Sequence, residues 1–205
     1  MASPLRAPAW LAIINSGEIM HNVIKWILAV AFMLATGSAL AQQTFAKTRI
    51  SGAGPFNTNT NVTYRLQGSC NNLVSGCGTL RIEDAFPAEM VMANCPVSAF
   101  FNSITCTAGS NTLVLVRNSY AGGDSFSLDV NLRIIPDITV AVTDVVNRAV
   151  AGINGFVCPP PPQNAVIGGP RPPLPADTAD CSYAEAAPVS VNAPTPKYTV
   201  RKQRQ

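Results

Sequence analysis

Apolar and polar residues alternate with a period of two along much of this chain. Asn61-Val-Thr-Tyr-Arg-Leu-Gln67 sets Val62, Tyr64 and Leu66 against Thr63 and Arg65. Gly78-Thr-Leu-Arg-Ile-Glu-Asp84 repeats the pattern, with Leu80 and Ile82 inward. The cleanest run is Ser125 to Arg133, where Phe126, Leu128, Val130 and Leu132 share one face. Thr44 to Ile50 alternates more loosely. Ser103 to Thr107 and Thr112 to Arg117 are short strands split by a hairpin turn at Ala108-Gly-Ser-Asn111. Val140 to Ala151 is apolar and mostly β-branched or small, with a short helix over Val145 to Val150 as the competing assignment. Ala184 to Val191 reads as a last strand, held to a sheet edge by Pro188. Roughly seven short strands and no long amphipathic helix predict an all-β antiparallel sandwich. A barrel satisfies the same periodicity.

A different pattern precedes the strands. Met20 to Lys25 is short and cationic, Trp26 to Leu34 is apolar, and Ala39-Leu40-Ala41 ends on small residues. That order is a secretory signal, with cleavage expected after Ala41. The apolar core is shorter than the roughly 20 residues of a membrane span, so no stable transmembrane segment is expected after cleavage. An uncleaved anchor is the competing reading. Residues 1–19 add nothing the signal needs and read as an over-called start, against a genuine long leader. The expected organisation is an extension over 1–19, a signal over 20–41, a sandwich over 42–191 and a linker with a basic tail over 192–205.

Cleavage narrows the chemistry. The single histidine, His21, and both tryptophans, Trp10 and Trp26, leave with the signal. A histidine-based hydrolase or zinc site is then excluded, since imidazole is the usual base near neutral pH and a common metal ligand. Charge is sparse, at 12% of the chain, about half the usual share. The formal charge of +3 comes from the end, where Lys197, Arg201, Lys202 and Arg204 cluster. No basic face for nucleic acid is present, only a basic tail.

The six cysteines, Cys70, Cys77, Cys95, Cys106, Cys158 and Cys181, all follow the signal. An even count in an exported chain predicts disulfides. Sequential pairing is favoured, because each neighbouring pair brackets a turn-rich segment. No C-x-x-C spacing supports a metal, and no cofactor is expected. Between Cys158 and Cys181 lies a proline-rich stretch, 159–176, containing Pro159-Pro-Pro-Pro162 and Arg171-Pro-Pro-Leu-Pro175. Proline cannot donate to a ladder, so this is expected as a stiff loop outside the sandwich and dispensable to it. Its likeness to an SH3 ligand is the competing reading.

Several motifs occur in a telling order: Thr44-Phe-Ala-Lys47, Val62-Thr-Tyr64, Ile82-Glu-Asp84-Ala-Phe-Pro87, Ala121-Gly-Gly-Asp-Ser-Phe126 and Asn147-Arg-Ala149. Together they resemble the bacterial surface repeat catalogued as domain of unknown function eleven, over Thr44 to Gly152. The resemblance implies an immunoglobulin-like sandwich, exported, often in tandem, acting as a spacer or adhesive stalk, with no catalytic residues to carry over. The cysteines and the proline-rich loop depart from the usual pattern. The tail Pro196-Lys-Tyr-Thr-Val-Arg-Lys202 echoes the opening strand and reads as the threshold of a further repeat.

The motif residues also have physical roles of their own. Pro87 ends its strand, having no N–H. Asp84 is expected to cap the following turn through its carboxylate. Gly122 and Gly123 permit the positive φ of a tight reversal, and Asn147 belongs to the last motif. Calcium held by Glu83, Asp84 and another carboxylate is the weaker alternative. The function expected is a non-catalytic structural or adhesive module of a bacterial surface or secreted protein. Its partner would be an extracellular protein or glycan. The alternatives are a pilus-type or secreted binding subunit and, less favoured, a histidine-free hydrolase using Glu83 and Glu89.

Overall fold

The computed structural model describes residues 42–52, 54–164 and 166–194. The expected extension, the signal and the chain beyond 194 lie outside them. Eleven strands follow in order: β1 (Gln43–Arg49), β2 (Asn61–Cys70), β3 (Leu80–Ala85), β4 (Met90–Asn94), β5 (Ser103–Thr105), β6 (Thr112–Arg117), β7 (Ser125–Ile134), β8 (Val142–Val145), β9 (Arg148–Gly152), β10 (Cys181–Glu185) and β11 (Val189–Val191). No helix occurs among the described residues.

Two antiparallel sheets make the sandwich, in the orders β1-β2-β7-β4 and β10-β9-β3-β6-β5. With strands lettered in chain order, these are the A-B-E-D and G-F-C arrangements of an immunoglobulin fold. β5 and β6 are additions between the fourth and fifth lettered strands, and they widen the second sheet. β8 and β11 form a separate two-stranded ribbon. The fold is therefore an immunoglobulin-like β-sandwich: the alternation predicts the sandwich, and the immunoglobulin-like form is what the resemblance implies.

Alternation also sets the core. Val62, Tyr64 and Leu66 from β2, Leu80 and Ile82 from β3, Leu113 and Leu115 from β6, and Val130 and Leu132 from β7 are all fully buried. Each follows the one-in, one-out rule of a half-buried strand. At one end Phe100, Phe101, Tyr120 and Phe126 pack edge to face or tilted, with centroids 5.1–6.3 Å apart. Gly68 makes room there: a Cβ on it would meet the Phe126 ring at 2.6 Å.

The apolar stretch 140–151 is two strands, β8 and β9, in different sheets. The short helix does not form. Asp144, inside β8, takes a φ of 61°, and Val146 and Asn147 link the ribbon to the sandwich. The last expected strand also divides, into β10 and β11, on either side of Pro188. β4 was not foreseen, because Met90-Val-Met-Ala-Asn94 follows Pro87 closely and shows little polarity contrast.

The three bridges join Cys70 to Cys77, Cys95 to Cys106 and Cys158 to Cys181. The last stands beside the pairing of β9 with β10, where Cys181 lies opposite Gly152. A Cβ at Gly152 would meet Phe156 O at 2.4 Å and the Cys158 sulfur at 2.8 Å. The chain folds back over this glycine and needs it bare. Replacing Cys158 and Cys181 together by alanine should lower stability by about 3 kcal/mol in the chain-entropy account. A thermal melt showing no loss would remove the bridge from the stabilising set.

The proline-rich loop lies outside the sheets, but it is not a free excursion. It covers the outer face of β9 and β10. Tyr183 Oη donates to Pro159 O at 3.2 Å, and Arg148 donates to Pro162 O and Pro172 O at 2.6 and 2.7 Å. Val150, Cys158 and Cys181 form a second small apolar cluster with Tyr183. Arg148 and Val150 on this outer face are almost wholly buried, so the loop packs on the sandwich it was expected to stand clear of.

Candidate functional site

The unusual chemistry of this molecule lies between its sheets. Lys47 on β1 and Asp84 on β3 meet across the core, Nζ to Oδ1 at 2.5 Å, both side chains fully enclosed. Strand period places them there. Asp84 continues the inward series Leu80, Ile82, and Lys47 continues Gln43, Phe45. Asp84 was expected to cap a turn. Its inward register forbids that, and the expectation is corrected: the carboxylate is a buried partner for an ammonium from the opposite sheet.

Both charges are expensive to enclose. Burial lowers the pKa of Lys47 and raises that of Asp84, each opposed by the attraction of the other. Both shifts run toward the neutral forms, yet with Lys47 lowered to about 8 and Asp84 raised to about 6 the pair stays ionised near neutral pH. The Tyr64 ring lies 5.4 Å from Lys47 Nζ, an added attraction for a cation. Burial raises the pKa of Tyr64, so its phenol stays protonated. Its hydroxyl reaches Met90 Sδ at 3.6 Å.

Asn147 stands just before β9 and is fully buried. Neither its Oδ1 nor its Nδ2 has a hydrogen-bond partner among the described residues, and the second oxygen of Asp84, Oδ2, lacks one too. Each such orphan typically costs about 1–3 kcal/mol. Three in one interior call for an explanation. The strand pairing sets Asp84 opposite Ala149, so Asn147 shares the inward face of β9 with Ala149 and lies diagonally across from Asp84.

Other expected residues fall elsewhere. Pro87 follows the end of β3, and its carbonyl accepts from Met90 N at 3.0 Å. Gly123 has a φ of 86°, as a reversal needs. Gly122 does not; its role is close approach, since a Cβ there would meet Asn72 O at 2.4 Å. Glu83 is on the outward face of β3, paired with Arg81 at 3.3 Å. Glu89 is buried, and its Oε1 accepts from Gly168 N at 2.8 Å. Glu83 shares the outer face with Arg81, while Asp84 and Glu89 are enclosed. They form no common carboxylate site, for calcium or for glycoside hydrolysis.

Three surface hollows among the described residues stay clear of the buried cluster. One is lined by Phe45, Gly68 and Phe126, another by Leu73 and Tyr120, a third by Phe86 and Pro161. None includes Lys47, Asp84 or Asn147. Period-two alternation could have marked the cluster, because a lysine and an aspartate each fall in line with an apolar face.

No protein-family model matches the chain, and no curated protein matches it. Among solved structures it is similar to the major pilin subunit BcpA of Bacillus cereus, in a D312A form, at 13% identity and a TM-score of 0.49, over 75% of this chain and 41% of that one. It is similar to the full-length major pilin SpaD of Corynebacterium diphtheriae at 14% identity and a TM-score of 0.44, over 72% and 34%. The collagen-binding domain of a Staphylococcus aureus adhesin gives 14% identity and a TM-score of 0.40, over 69% and 95%. The chain thus spans less than half the length of either pilin.

Proposed function

We propose that this chain is a non-catalytic, exported structural or adhesive module of a bacterial cell-surface or secreted protein. It would belong with the immunoglobulin-like surface repeats that its motifs resemble. The observation that carries the reading is the closure of its most reactive groups. Lys47, Asp84 and Asn147 are all fully buried, whereas groups that act on an external substrate line a cleft. Chemistry confined to the interior serves the fold itself. Three disulfides in a chain of this size also suit an oxidising compartment. The partner, on this reading, is an extracellular protein or glycan.

Export tests it. A secreting bacterial host given the full chain should release protein that begins at Gln42 on N-terminal sequencing. After denaturation that protein should show no reactive thiol. Recovery in the cytoplasm with all six cysteines reduced would overturn the proposal.

A further inference from the structure

Glu89 ends the turn that leads from β3 into β4, and it is fully buried. Its Oε1 accepts from Gly168 N at 2.8 Å, while its Oε2 has no hydrogen-bond partner among the described residues. No ion pair among those residues includes it. The arginines that serve the proline-rich loop are taken. Arg148 holds Glu185 and the carbonyls of Pro162 and Pro172, and Arg171 pairs with Glu185 and Asp144. A carboxylate enclosed without a cation beside it is costly.

Two more orphaned oxygens lie along the same seam. The turn before β4 and the proline-rich loop share one hollow, lined by Phe86, Ala88, Pro161, Gln163 and Asn164 among others. Asn164 is 4% exposed, and neither its Oδ1 nor Gln163 Oε1 has a partner. Gln163 Nε2 donates to Arg148 O at 3.2 Å, which fixes which end of that amide is the oxygen. Further along, the chain turns tightly, with Gly169 N donating to Val166 O at 3.0 Å and Gly168 at a φ of 69°. That turn presents Gly168 N to Glu89. The seam thus gathers one carboxylate oxygen and two amide oxygens, and no donor among the described residues meets any of them.

We propose that this seam binds one calcium ion, held by Glu89 Oε2 with the side-chain oxygens of Gln163 and Asn164. The set is not the Glu83–Asp84 grouping, since Glu83 faces outward and Asp84 is committed to Lys47. Its donors are all hard oxygens, one of them charged, and no thiolate or imidazole joins them, which disfavours a transition metal. Calcium takes carboxylate, amide and water oxygens in a flexible shell of six to eight, whereas magnesium demands a small, regular octahedron. Water could donate to the two amides, but it brings no positive charge to the carboxylate. A single ligand charge places the site at the weak end of the calcium range, with a dissociation constant of about 10⁻⁴–10⁻³ M.

The ion ties two pieces of chain that no strand pairing joins. Arg148 anchors the proline-rich loop on β9, and calcium anchors it a second time on the turn before β4. The inference does not depend on the adhesive reading or on export, and its test reads the isolated molecule.

Scanning calorimetry of the folded full chain, with its disulfides intact and its metals removed on a chelating resin, decides it. Calcium chloride at about ten times the dissociation constant should raise the melting temperature by about 3–6 °C over sodium chloride of equal ionic strength. Hydrogen exchange at the Gly168 amide should slow in the same titration. Glu89→Gln keeps an acceptor for Gly168 N and removes the charge, so it should abolish the calcium shift. Asn164→Ala should raise the calcium midpoint several-fold, and it carries the test if Glu89→Gln does not fold. No calcium shift beyond the sodium control in the wild type would overturn the proposal. So would an equal shift in Glu89→Gln, an unmoved midpoint in Asn164→Ala, or an equal response to magnesium.

Discussion

Asp84→Ala should lower the unfolding free energy by about 3–5 kcal/mol, the usual result of removing one member of a buried ion pair. The change leaves the Lys47 ammonium enclosed with no carboxylate near it, and an unpaired charge in the interior costs more than the pair itself contributes. A domain of ordinary stability holds only about 5–15 kcal/mol, so the variant would be close to unfolding. Urea titration with the disulfides intact measures the loss. Lys47→Met combined with Asp84→Leu removes both charges and should recover most of it. An unchanged midpoint for Asp84→Ala would mean that the pair is not enclosed in the folded protein.

The sandwich was legible because one face of most strands is buried and the other is not. β7 shows this best: its inward Phe126, Leu128, Val130 and Leu132 alternate with Ser, Asp and Asn. Where both faces are covered the signal fails. β9 is buried at every position, and its sequence gave one apolar stretch in place of two elements. Sequential disulfides were readable from loop spacing. The buried cluster was only half readable. Lys47, Asp84 and Asn147 each appeared as motif residues, and alternation put Asp84 in line with Leu80 and Ile82. That they meet depends on how one sheet crosses the other, which no local pattern records. Arg148 was invisible for a related reason: a charged residue reads as exposed, and only the loop arriving from residues 159–176 encloses it.

Arg148→Ala should release that loop. The guanidinium is 1% exposed and holds three groups at once: Glu185 Oε2 at 2.7 Å and the carbonyls of Pro162 and Pro172. Hydrogen bonds from a charged donor contribute about 1.5–3 kcal/mol each. The net loss should be smaller than their sum, because Glu185 keeps Arg171 as a partner and the freed carbonyls can turn to water. A fall of about 3 kcal/mol is expected, several times the effect of breaking the exposed Arg65–Asp129 pair, for which about 1 kcal/mol is the ceiling. The more specific readout is local. Thermolysin, which cuts before apolar residues, should cleave the variant near Ile167 under conditions where the wild type stays whole, and the Cys158–Cys181 bridge should keep the fragments together until reduction. Arg148→Lys should not rescue, because a single ammonium cannot reach three acceptors that a planar fork spans. Equal protease resistance in wild type and Arg148→Ala would show that the prolines hold their course without the arginine.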